Sequence, residues 1–403
     1  MAQQHLLSVE EARARMMAAL STTQPEVVSL AQALGRVLAE EAIARRTQPP
    51  ADLSAMDGYA VRAADVTKVP AQLRIVGEAP AGGAYDGTLG DGEAVRIFTG
   101  APLPKGADSI VIQEDTTRDG ATVVVNEAAR PGQHVRVTGL DFRTGDAGLP
   151  VGRKLSPADI AFAAAMNLPT LSVHRRPVIA FFSTGDELVP PGTEPGPNQI
   201  VSSNNDGLGA LIVEAGGVPL DLGIAPDNLD AIRAAAARAD AADMLVTLGG
   251  ASVGEHDLVQ SALAPAGLDI DFWKIAMRPG KPLMFGKLGD LPTLGLPGNP
   301  VSAFVCAMLF LRPAIARMQG GDSALHTLQA RLGAALPANG PREDYVRAAL
   351  DHMAGETAIA TPFAPQDSSM LSILARAGCL VIRPIGAAAT QAGETVTVLP
   401  LRV

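Results

Sequence analysis

Cysteine is scarce in this sequence, which has only Cys306 and Cys379 among its 403 residues. Two cysteines so far apart argue against a disulfide framework and against a cysteine-based metal site. We therefore expect a reduced setting, which for this chain means the cytoplasm.

Aromatic residues are also rare, at 3% of the chain, whereas 47% of the residues are hydrophobic. The cores must therefore consist mainly of Ala, Val, Leu and Ile. The 41 glycines and 31 prolines predict frequent turns and short connections. A chain of 403 residues exceeds what one hydrophobic core usually organises, so we expect two to four domains.

Long apolar segments are absent as well. The chain reaches Glu10, Glu11 and Arg13 without an apolar core, so we expect no signal peptide. No run of about eighteen uncharged apolar residues occurs, which argues against a membrane partner. The apolar run 301–311 is shorter and predicts a buried helix.

Positive charge is in deficit, because the net charge is −10. This argues against a nucleic-acid partner, since general nucleic-acid binders present a broad basic surface. An anionic substrate must then be held by a local group of cations. The stretch 274–287 supplies such a group, because it contains no acidic residue and carries Lys274, Arg278, Lys281 and Lys287.

The first 176 residues predict helices that flank a β-rich segment. Ser8, Ser29 and Ser156 stand where helix N-caps are expected, and 36–43 can run as a strand. Between 46 and 149, short apolar runs alternate with Gly, Pro and Asp, which predicts a small β-rich domain. The predicted strands are 73–76, 94–98, 109–112 and 121–125.

From residue 177 the pattern alternates between strand and helix. Strands are predicted at 178–182, 218–224 and 244–248, with helices at 205–215 and 227–237. Such alternation predicts a parallel sheet that is covered on both faces. From about 322 onward, short β-type runs predict a compact β domain.

Two glycines, Gly249 and Gly250, directly follow the predicted strand 244–248. Ligands of parallel sheets bind beyond the carboxyl ends of the strands, and glycine lets backbone approach a ligand closely. We therefore expect the rim of a pocket at this edge of the sheet.

Two carboxylates follow the predicted strand 178–182. Asp186 and Glu187 stand in the stretch Ser183-Thr184-Gly185-Asp186-Glu187-Leu188, which places them at the same sheet edge as the glycines. Adjacent acids beside a pocket suit Mg²⁺, which prefers one or two carboxylates plus waters and substrate phosphates. A helix cap or a polar turn after a strand explains these residues equally well.

Asp227 and Asp257 each precede a helix-like stretch, so an N-cap role is the first interpretation of both. Several acids at one edge nonetheless favour a role for some of them in holding a metal or orienting a polar ligand. His256 has no second His or Cys at metal-ligand spacing. No Ser-His-Asp set, Walker-type loop or complete dinucleotide fingerprint occurs.

Two further loops are candidates for ligand contact. Arg278-Pro279-Gly280-Lys281-Pro282 fixes two cations on a stiff turn, which favours an oxyanion site over a solvated loop. Gly295-Leu296-Pro297-Gly298-Asn299-Pro300-Val301-Ser302-Ala303 is either a plain connection between strand and helix or, as its density of Pro, Gly and Asn favours, a ligand-lining loop.

Six motifs, taken together and in this order, resemble those of one family, the molybdopterin molybdenumtransferases, which include the E domain of gephyrin. They are SAMDGYAVR at 54–62, IFTGAPLPKGADSIVIQE at 97–114, STGDEL at 183–188, GGASVGEHD at 249–257, WKIAMRPGKP at 273–282 and GLPGNPVSA at 295–303. The resemblance covers nearly the whole chain.

The resemblance implies a multidomain protein of α/β and β classes. The implied parts are a helical N-terminal domain (1–45 with 141–176), an inserted β-rich lid domain (46–140), an α/β molybdopterin-binding domain with a Rossmann-like parallel sheet (177–320), and a C-terminal β-barrel domain (321–403). It also implies a homodimer that shares its pocket between subunits, with transient contacts to the molybdopterin adenylyltransferase and to downstream cofactor carriers.

The implied reaction consumes adenylylated molybdopterin and molybdate with Mg²⁺ and releases AMP and molybdenum cofactor. Molybdate is a tetrahedral dianion, so it needs fixed cations and hydroxyl or amide donors rather than a nucleophilic side chain. Positioning of the reactants and electrostatic stabilisation can catalyse hydrolysis of the phosphoanhydride without a covalent intermediate. Tungstate has nearly the same size and charge, so the sequence does not decide between the two oxyanions.

By motif, the resemblance implies roles for individual residues. Asp186 and Glu187, with Asp227 and Asp257, would lie near Mg²⁺ and the pterin. The pterin-nucleotide site would be lined by Gly249, Gly250, Ser252, Pro297, Asn299, Pro300 and Ser302. Phosphate or molybdate would be bound by Lys274, Arg278, Lys281, Arg347 and Ser368. The lid side would supply Asp57, Thr99, Arg136 and Asp141.

Two departures from the family pattern stand out. Asp367 precedes Ser368 where the family more often has a small or neutral residue, and Arg278 stands where some members have Lys, which preserves charge but not donor geometry. Two other functions remain open at this point. One is a pterin adenylyltransferase, which has a similar α/β module, and the other is a non-catalytic scaffold like the gephyrin E domain.

Overall fold

The computed structural model describes residues 6–250, 258–351 and 357–401. The chain divides into two compact units. The first consists of Met1–Glu26, Gly35–Ala39 and Ser172–Val403, and the second of Val27–Leu34 and Glu40–Leu171. This division is coarser than the four expected domains, whose borders remain predictions.

The second unit is built on a six-stranded sheet. In spatial order its strands are Ser109–Ile112, Gly58–Val61, Glu93–Ile97, Ala71–Ala79, Thr122–Val125 and Thr116–Asp119. All pairs are antiparallel except Ala71–Ala79 with Glu93–Ile97. The β-rich prediction for this segment is confirmed, and each of its four predicted strands forms.

Short elements complete the second unit. Leu53–Ser54 pairs with Val135–Arg136, and Ala42–Ile43 pairs with Ala147–Leu149. The helices are Leu30–Ala33, Pro157–Ala165 and the 3-10 turns Ala63–Val66 and Gln113–Asp115. Ser156 and Asp159 form a reciprocal capping box at the start of Pro157–Ala165, which explains why that helix begins there.

The predicted strand 36–43 is wrong over most of its length, because only Ala42–Ile43 is a strand. Gly35 has φ of 73°, which turns the chain out of the preceding helix. Arg36 is then buried, and its guanidinium binds the Glu26 carboxylate and the His174 carbonyl. The position of Arg36 is thus set by tertiary contacts, which a local sequence pattern does not show. The strands Pro25–Ser29 and Thr170–His174 lie where the chain passes from one unit to the other.

The first unit contains the central sheet. In spatial order its strands are Val218–Ala225, Val178–Thr184, Met244–Leu248, Leu291–Leu296, Met284–Leu288 and Leu268–Trp273. The first four run parallel to one another, as predicted. Met284–Leu288 is antiparallel to both of its neighbours, so the sheet is mixed. The cause is local, since only Gly289 and Asp290 join two of these strands, and a two-residue hairpin permits only antiparallel pairing.

Helices cover both faces of the central sheet and enclose separate apolar cores. They are Val9–Ala19, Asn204–Glu214, Leu229–Ala237, Leu258–Leu263 and the run formed by Pro300–Cys306, a π-turn at Ala307–Leu311 and Arg312–Met318, with a 3-10 turn at Ala264–Ala266. Ser8 caps Val9–Ala19 by accepting the Glu11 N–H, as predicted.

The run Pro300–Met318 extends the predicted buried helix. It is the one helix of the described chain whose length and composition would suffice to cross a membrane, and 78% of its most apolar window is buried inside the protein. Its side chains form the centre of the larger core, with Phe310, Leu309 and Ile315 fully covered. It therefore serves as a core helix.

The C-terminal segment is a closed five-stranded barrel. Around the barrel the strands are Glu343–Asp351, Ile359–Pro362, Leu328–Leu332, Thr395–Pro400 and Cys379–Arg383, which returns to Glu343–Asp351. Small and branched side chains such as Ala330, Ala348 and Val381 fill its interior. Helix Leu371–Arg376 lies between two of the strands in sequence. The expected C-terminal β-barrel is confirmed.

Candidate functional site

Four parallel strands of the central sheet end at one edge, which we call the carboxyl edge. Thr184 is paired with Ala225, Ser183 with Leu248, and Leu248 with Leu296. Leu268–Trp273 runs in the same direction, because it is antiparallel to an antiparallel neighbour, and Trp273 is paired with Met284. The carboxyl edge is therefore formed by the segments that follow these strands: 185–187, 226–227, 249–250, 297–300 and Lys274.

The carboxyl edge has acids towards one end and cations at the other. Asp186 follows the second strand of the sheet and Lys274 the sixth, so they are four strand spacings apart. At about 4.8 Å per spacing, this separation is about 19 Å. An extended ligand could contact both ends at once.

The acidic end comprises Asp186, Glu187 and Asp227, which we call the acidic group. The Asp227 N–H donates to Asp186 Oδ1 over 3.0 Å. The pKa of Asp227 is raised by partial burial first and then by the charges of Asp186 and Glu187. The predicted N-cap role of Asp227 is wrong, because Asn228 caps the helix Leu229–Ala237 through the Ala231 N–H.

No cation pairs with the acidic group within the described residues. No cluster of three metal-ligating side chains occurs there either. Ser252 and Asp257, two residues that the motifs assign to this site, lie outside the described residues.

The backbone conformation at positions 249 and 250 requires glycine. Their φ angles are 91° and 69°, in the left-handed region. A Cβ on Gly249 would lie 2.9 Å from the Thr184 carbonyl oxygen, and one on Gly250 would lie 2.4 Å from Val259 Cγ2. Beside them, Thr184 Oγ1 is buried and has no hydrogen-bond partner among the described residues. The glycines thus let this turn pack directly onto the end of the neighbouring strand.

The loop 297–300 lies beside the glycine turn, since a Cβ on Gly298 would be 3.4 Å from Gly249 Cα. Asn204 Nδ2 donates to the Gly298 carbonyl over 2.8 Å and anchors the loop. Asn299 is the cap residue of the helix that begins at Pro300. Of the predicted lining residues, Pro297 and Ser302 are buried, whereas Asn299 is exposed.

The cationic end is the loop 274–283, which we call the cationic loop. The Lys274 N–H donates to Leu283 O over 2.9 Å and the Ile275 N–H to Lys281 O over 3.0 Å, so the loop is closed on itself. Gly280 has φ of 112°, and a Cβ there would lie 2.4 Å from Cys306 Sγ. The loop is therefore closed by hydrogen bonds and tightly packed at Gly280, which fits the stiff turn expected from its prolines.

Three cations of the cationic loop have different surroundings. Arg278 forms an ion pair with Asp344 of the barrel. Lys274 Nζ lies 3.6 Å from the centroid of the Trp273 ring, a cation–π contact. Lys281 has no carboxylate partner within the described chain. Within the described chain, Lys274 also has no carboxylate partner, so Arg278 is the cation of this loop whose charge is paired.

The barrel adds Arg347 and Ser368. The Arg347 guanidinium is buried, and its Nε donates to Gln366 Oε1 over 3.2 Å and its Nη1 to Met370 O over 3.3 Å. Burial lowers the pKa of Arg347, and the charge of Asp367 opposes that effect. The Ser368 carbonyl accepts the Val301 N–H over 3.1 Å, which joins the 366–370 loop to the helix start at the carboxyl edge.

The remaining predicted residues belong to the second unit. Asp57 Oδ1 accepts the Thr99 N–H and the Thr99 hydroxyl, each over 2.7 Å, and these bonds lower the pKa of Asp57. Arg136 is exposed on the strand that pairs with Leu53–Ser54. Asp141 is exposed, and its N–H donates to Gln48 O over 3.0 Å. Within this unit the structure brings Asp57 and Thr99 into direct contact.

Sequence reasoning missed two residues of the site. Asp344 holds Arg278, and Gln366 holds Arg347 through both its backbone and its side chain. Gln366 opens the stretch Gln366-Asp367-Ser368-Ser369, which was a visible signal for it. Asp344 had none, because it is an ordinary acidic residue of a strand.

Family profiles match three parts of the chain. "MoeA N-terminal region (domain I and II)" matches residues 7–167, "Probable molybdopterin binding domain" matches 180–317, and "MoeA C-terminal region (domain IV)" matches 329–401.

Individual relatives match over nearly the full chain. The molybdopterin molybdenumtransferase of Nostoc sp. is 37% identical over 95% of this chain and 90% of its own length. That of Haemophilus influenzae is 33% identical over 98% of each chain. A crystal structure of the molybdopterin biosynthesis MoeA protein from Pyrococcus horikoshii is 30% identical, with a TM-score of 0.85 over 99% of this chain and 100% of its own.

Proposed function

The chain belongs to the molybdopterin molybdenumtransferase family, and on that premise we propose that it inserts molybdate into adenylylated molybdopterin, hydrolysing the adenylate to AMP with Mg²⁺. The observation that carries this proposal is the polarity of the carboxyl edge. It has an acidic group towards one end, cations at the other, and glycine and proline turns between them.

The spacing of these groups suits the proposed substrates. A separation of about 19 Å between Asp186 and Lys274 accommodates an extended molecule such as a pterin nucleotide. The cationic loop with Arg347 would bind molybdate, and the two glycines with the loop 297–300 would line the pterin-nucleotide site. Tungstate meets the same charge requirement, so the proposal covers both oxyanions.

The acidic group fits Mg²⁺. Asp186 and Glu187 would hold the ion, and Asp227, whose pKa their charges raise, would be relieved of that repulsion. When bound, Mg²⁺ would neutralise charge on the phosphoanhydride. The chain's own contribution is to fix the carboxylates through the Asp227 N–H bond to Asp186 and to keep the oxyanion in place with rigid cations.

The quaternary part of the proposal is a homodimer, with Asp57, Thr99, Arg136 and Asp141 contributing from the partner subunit. It also includes transient contacts with the molybdopterin adenylyltransferase and with downstream cofactor carriers. Light scattering on the purified protein tests the dimer, and a monomer with full activity would contradict it.

AMP release tests the function directly. The protein is incubated with adenylylated molybdopterin and Mg²⁺, molybdate is added, and AMP is measured by chromatography. We expect AMP release that depends on molybdate and is lost in Asp186→Ala and in Glu187→Ala. Asp240→Ala is the matched control, because this exposed acid precedes the strand Met244–Leu248 and so lies at the opposite edge of the sheet.

The same assay separates the two other functions. Consumption of ATP with formation of adenylylated molybdopterin would indicate an adenylyltransferase. A folded protein that releases no AMP under any condition would indicate a scaffold. Release of AMP at the same rate with and without molybdate would also contradict the proposal.

A further inference from the structure

Buried arginines in this protein are compensated in different ways. Arg36 is paired with the Glu26 carboxylate. Arg383 has neutral partners, but both of its terminal nitrogens are used, by Thr390, Pro337 and Ala388. Arg347 is 2% exposed, and its side-chain hydrogen bonds also go to neutral acceptors.

Arg347 differs from Arg383 in its free donor. Its Nη2 has no acceptor among the described residues. This atom is also absent from the fully covered polar atoms that lack a partner, so it is accessible to a ligand. The charge of Asp367 acts on Arg347, but no hydrogen bond joins the two side chains in the described chain, and the Asp367 carboxylate accepts the Ser369 N–H and hydroxyl. A buried guanidinium that keeps a donor and most of its charge is a site for an anion.

Gln366 sets this arrangement. Its Oε1 accepts the Arg347 N–H over 3.0 Å and Nε over 3.2 Å, and its Nε2 donates to Arg347 O over 3.0 Å and to Phe363 O over 2.8 Å. One amide therefore fixes the backbone and the side chain of Arg347 together. A carboxylate of the same shape would accept the same bonds from Arg347 but would neutralise its charge.

We propose that Gln366 is a positioning residue that orients Arg347 and, by being neutral, leaves its charge available to a tetrahedral dianion. The inference deepens the proposed function, on which the choice of molybdate as that dianion rests. The location of Gln366 fits this role, because the loop 366–370 is joined through the Ser368 carbonyl to the helix that starts at Pro300, at the carboxyl edge.

Isothermal titration of the full-length protein with molybdate, tungstate and sulfate tests the inference by comparing two variants. Gln366→Glu keeps the two bonds accepted from Arg347, loses the two bonds donated by Nε2 and adds a charge, whereas Gln366→Met removes all four bonds and adds no charge. Thermal denaturation of both variants measures the structural part of each loss. We expect Gln366→Glu to weaken oxyanion binding by about tenfold or more, because a carboxylate directly opposes the dianion. We expect a smaller loss in Gln366→Met. Gln329→Glu, an exposed site on another barrel strand, controls for net charge.

A structural role alone predicts that the loss of affinity follows the loss of Tm in both variants, because Glu forfeits the two bonds that Gln366 Nε2 donates and Met forfeits all four. The proposed role predicts that Gln366→Glu binds the oxyanion more weakly than its Tm accounts for. Equal or tighter binding in Gln366→Glu than in Gln366→Met would therefore overturn the inference. If Gln366→Glu fails to fold, Asp367→Asn replaces it. We expect that variant to tighten binding about two- to threefold, since it removes a charge near Arg347, and unchanged affinity would overturn the inference.

The sulfate arm separates this inference from the proposed function. Binding of sulfate that depends on Gln366, without binding of molybdate, would support the role of Gln366 and contradict the proposed substrate. Molybdate bound equally by wild type and Gln366→Glu would overturn the inference alone. No binding of any of the three oxyanions to wild type would overturn both.

Discussion

The guanidinium of Arg278 forms an ion pair with the carboxylate of Asp344, although the two side chains are 61% and 6% exposed. The pair joins the cationic loop to the barrel, and both residues belong to the short parallel ladder in which Met277 pairs with Glu343 and Arg278 with Asp344. The buried partner depends on the exposed one, because an unpaired carboxylate is costly to bury.

This asymmetry predicts the outcome of a double-mutant cycle. Arg278→Ala should lower the free energy of unfolding by about 1–3 kcal/mol, since it leaves Asp344 unpaired. Adding Asp344→Asn should recover part of that loss. Urea denaturation of the four proteins measures the coupling, and strictly additive effects would show that the pair does not stabilise the fold.

The raised pKa of Asp227 predicts that this residue lowers the stability of the fold by an amount that depends on pH. Its pKa is raised above the ordinary value of 3.8 by burial and by Asp186 and Glu187, so its contribution to stability falls as pH rises through the interval between the ordinary and the raised pKa. At neutral pH without Mg²⁺, Asp227→Asn should therefore raise Tm, by about 1–3 °C given the exposure of the site.

The same variant should respond less to Mg²⁺. We expect Mg²⁺ to raise the Tm of wild type and to raise that of Asp227→Asn by a smaller amount. Asp240→Asn, at the opposite edge of the sheet, serves as the control. An equal Mg²⁺ effect in Asp227→Asn and wild type would show that Asp227 does not face the ion.

Gly249→Ala should destabilise the protein more than the same substitution does at a glycine that is left-handed but has open space around it. Left-handed backbone alone costs a residue with a side chain about 1–2 kcal/mol. At Gly249 the new Cβ would also lie 2.9 Å from the Thr184 carbonyl, whereas at Gly386, with φ of 68°, it would meet nothing within 4 Å. Denaturation of Gly249→Ala and Gly386→Ala compares them, and equal losses would refute the packing contribution.

Lys281→Ala should weaken molybdate binding about 5- to 30-fold, the usual effect of losing one charge-assisted contact. The residue has no carboxylate partner in the described chain, so its charge is free for an anion. Lys287→Ala is the matched control, because Lys287 is exposed on the strand Met284–Leu288. Isothermal titration measures both affinities, and equal molybdate affinity in Lys281→Ala and wild type would count against the assignment.

Local patterns predicted much of the fold. Met244–Leu248 forms at the predicted residues because a continuous apolar run suits a strand buried on both faces. The helix after Asp227 begins one residue later than an Asp227 cap requires, because Asn228 is an equally good cap and only one can serve.

Long-range contacts could not be predicted in this way. The partners Arg278 and Asp344 are 66 residues apart in sequence, and their contact depends on the register between a loop and a barrel strand. The motifs singled out the cations of the candidate site, but not Gln366 and Asp344, the neutral and acidic side chains that bond to two of them. Such partners carry no periodicity of their own, so only the folded chain reveals them.

The ladder between Met277–Arg278 and Glu343–Asp344 also limits how this protein can be divided. A fragment that stops before the barrel would leave Arg278 without its partner Asp344. An isolated barrel would keep the buried Asp344 carboxylate with no counterion. Chimaeras between relatives must therefore exchange the cationic loop and this barrel strand together, as one inherited piece.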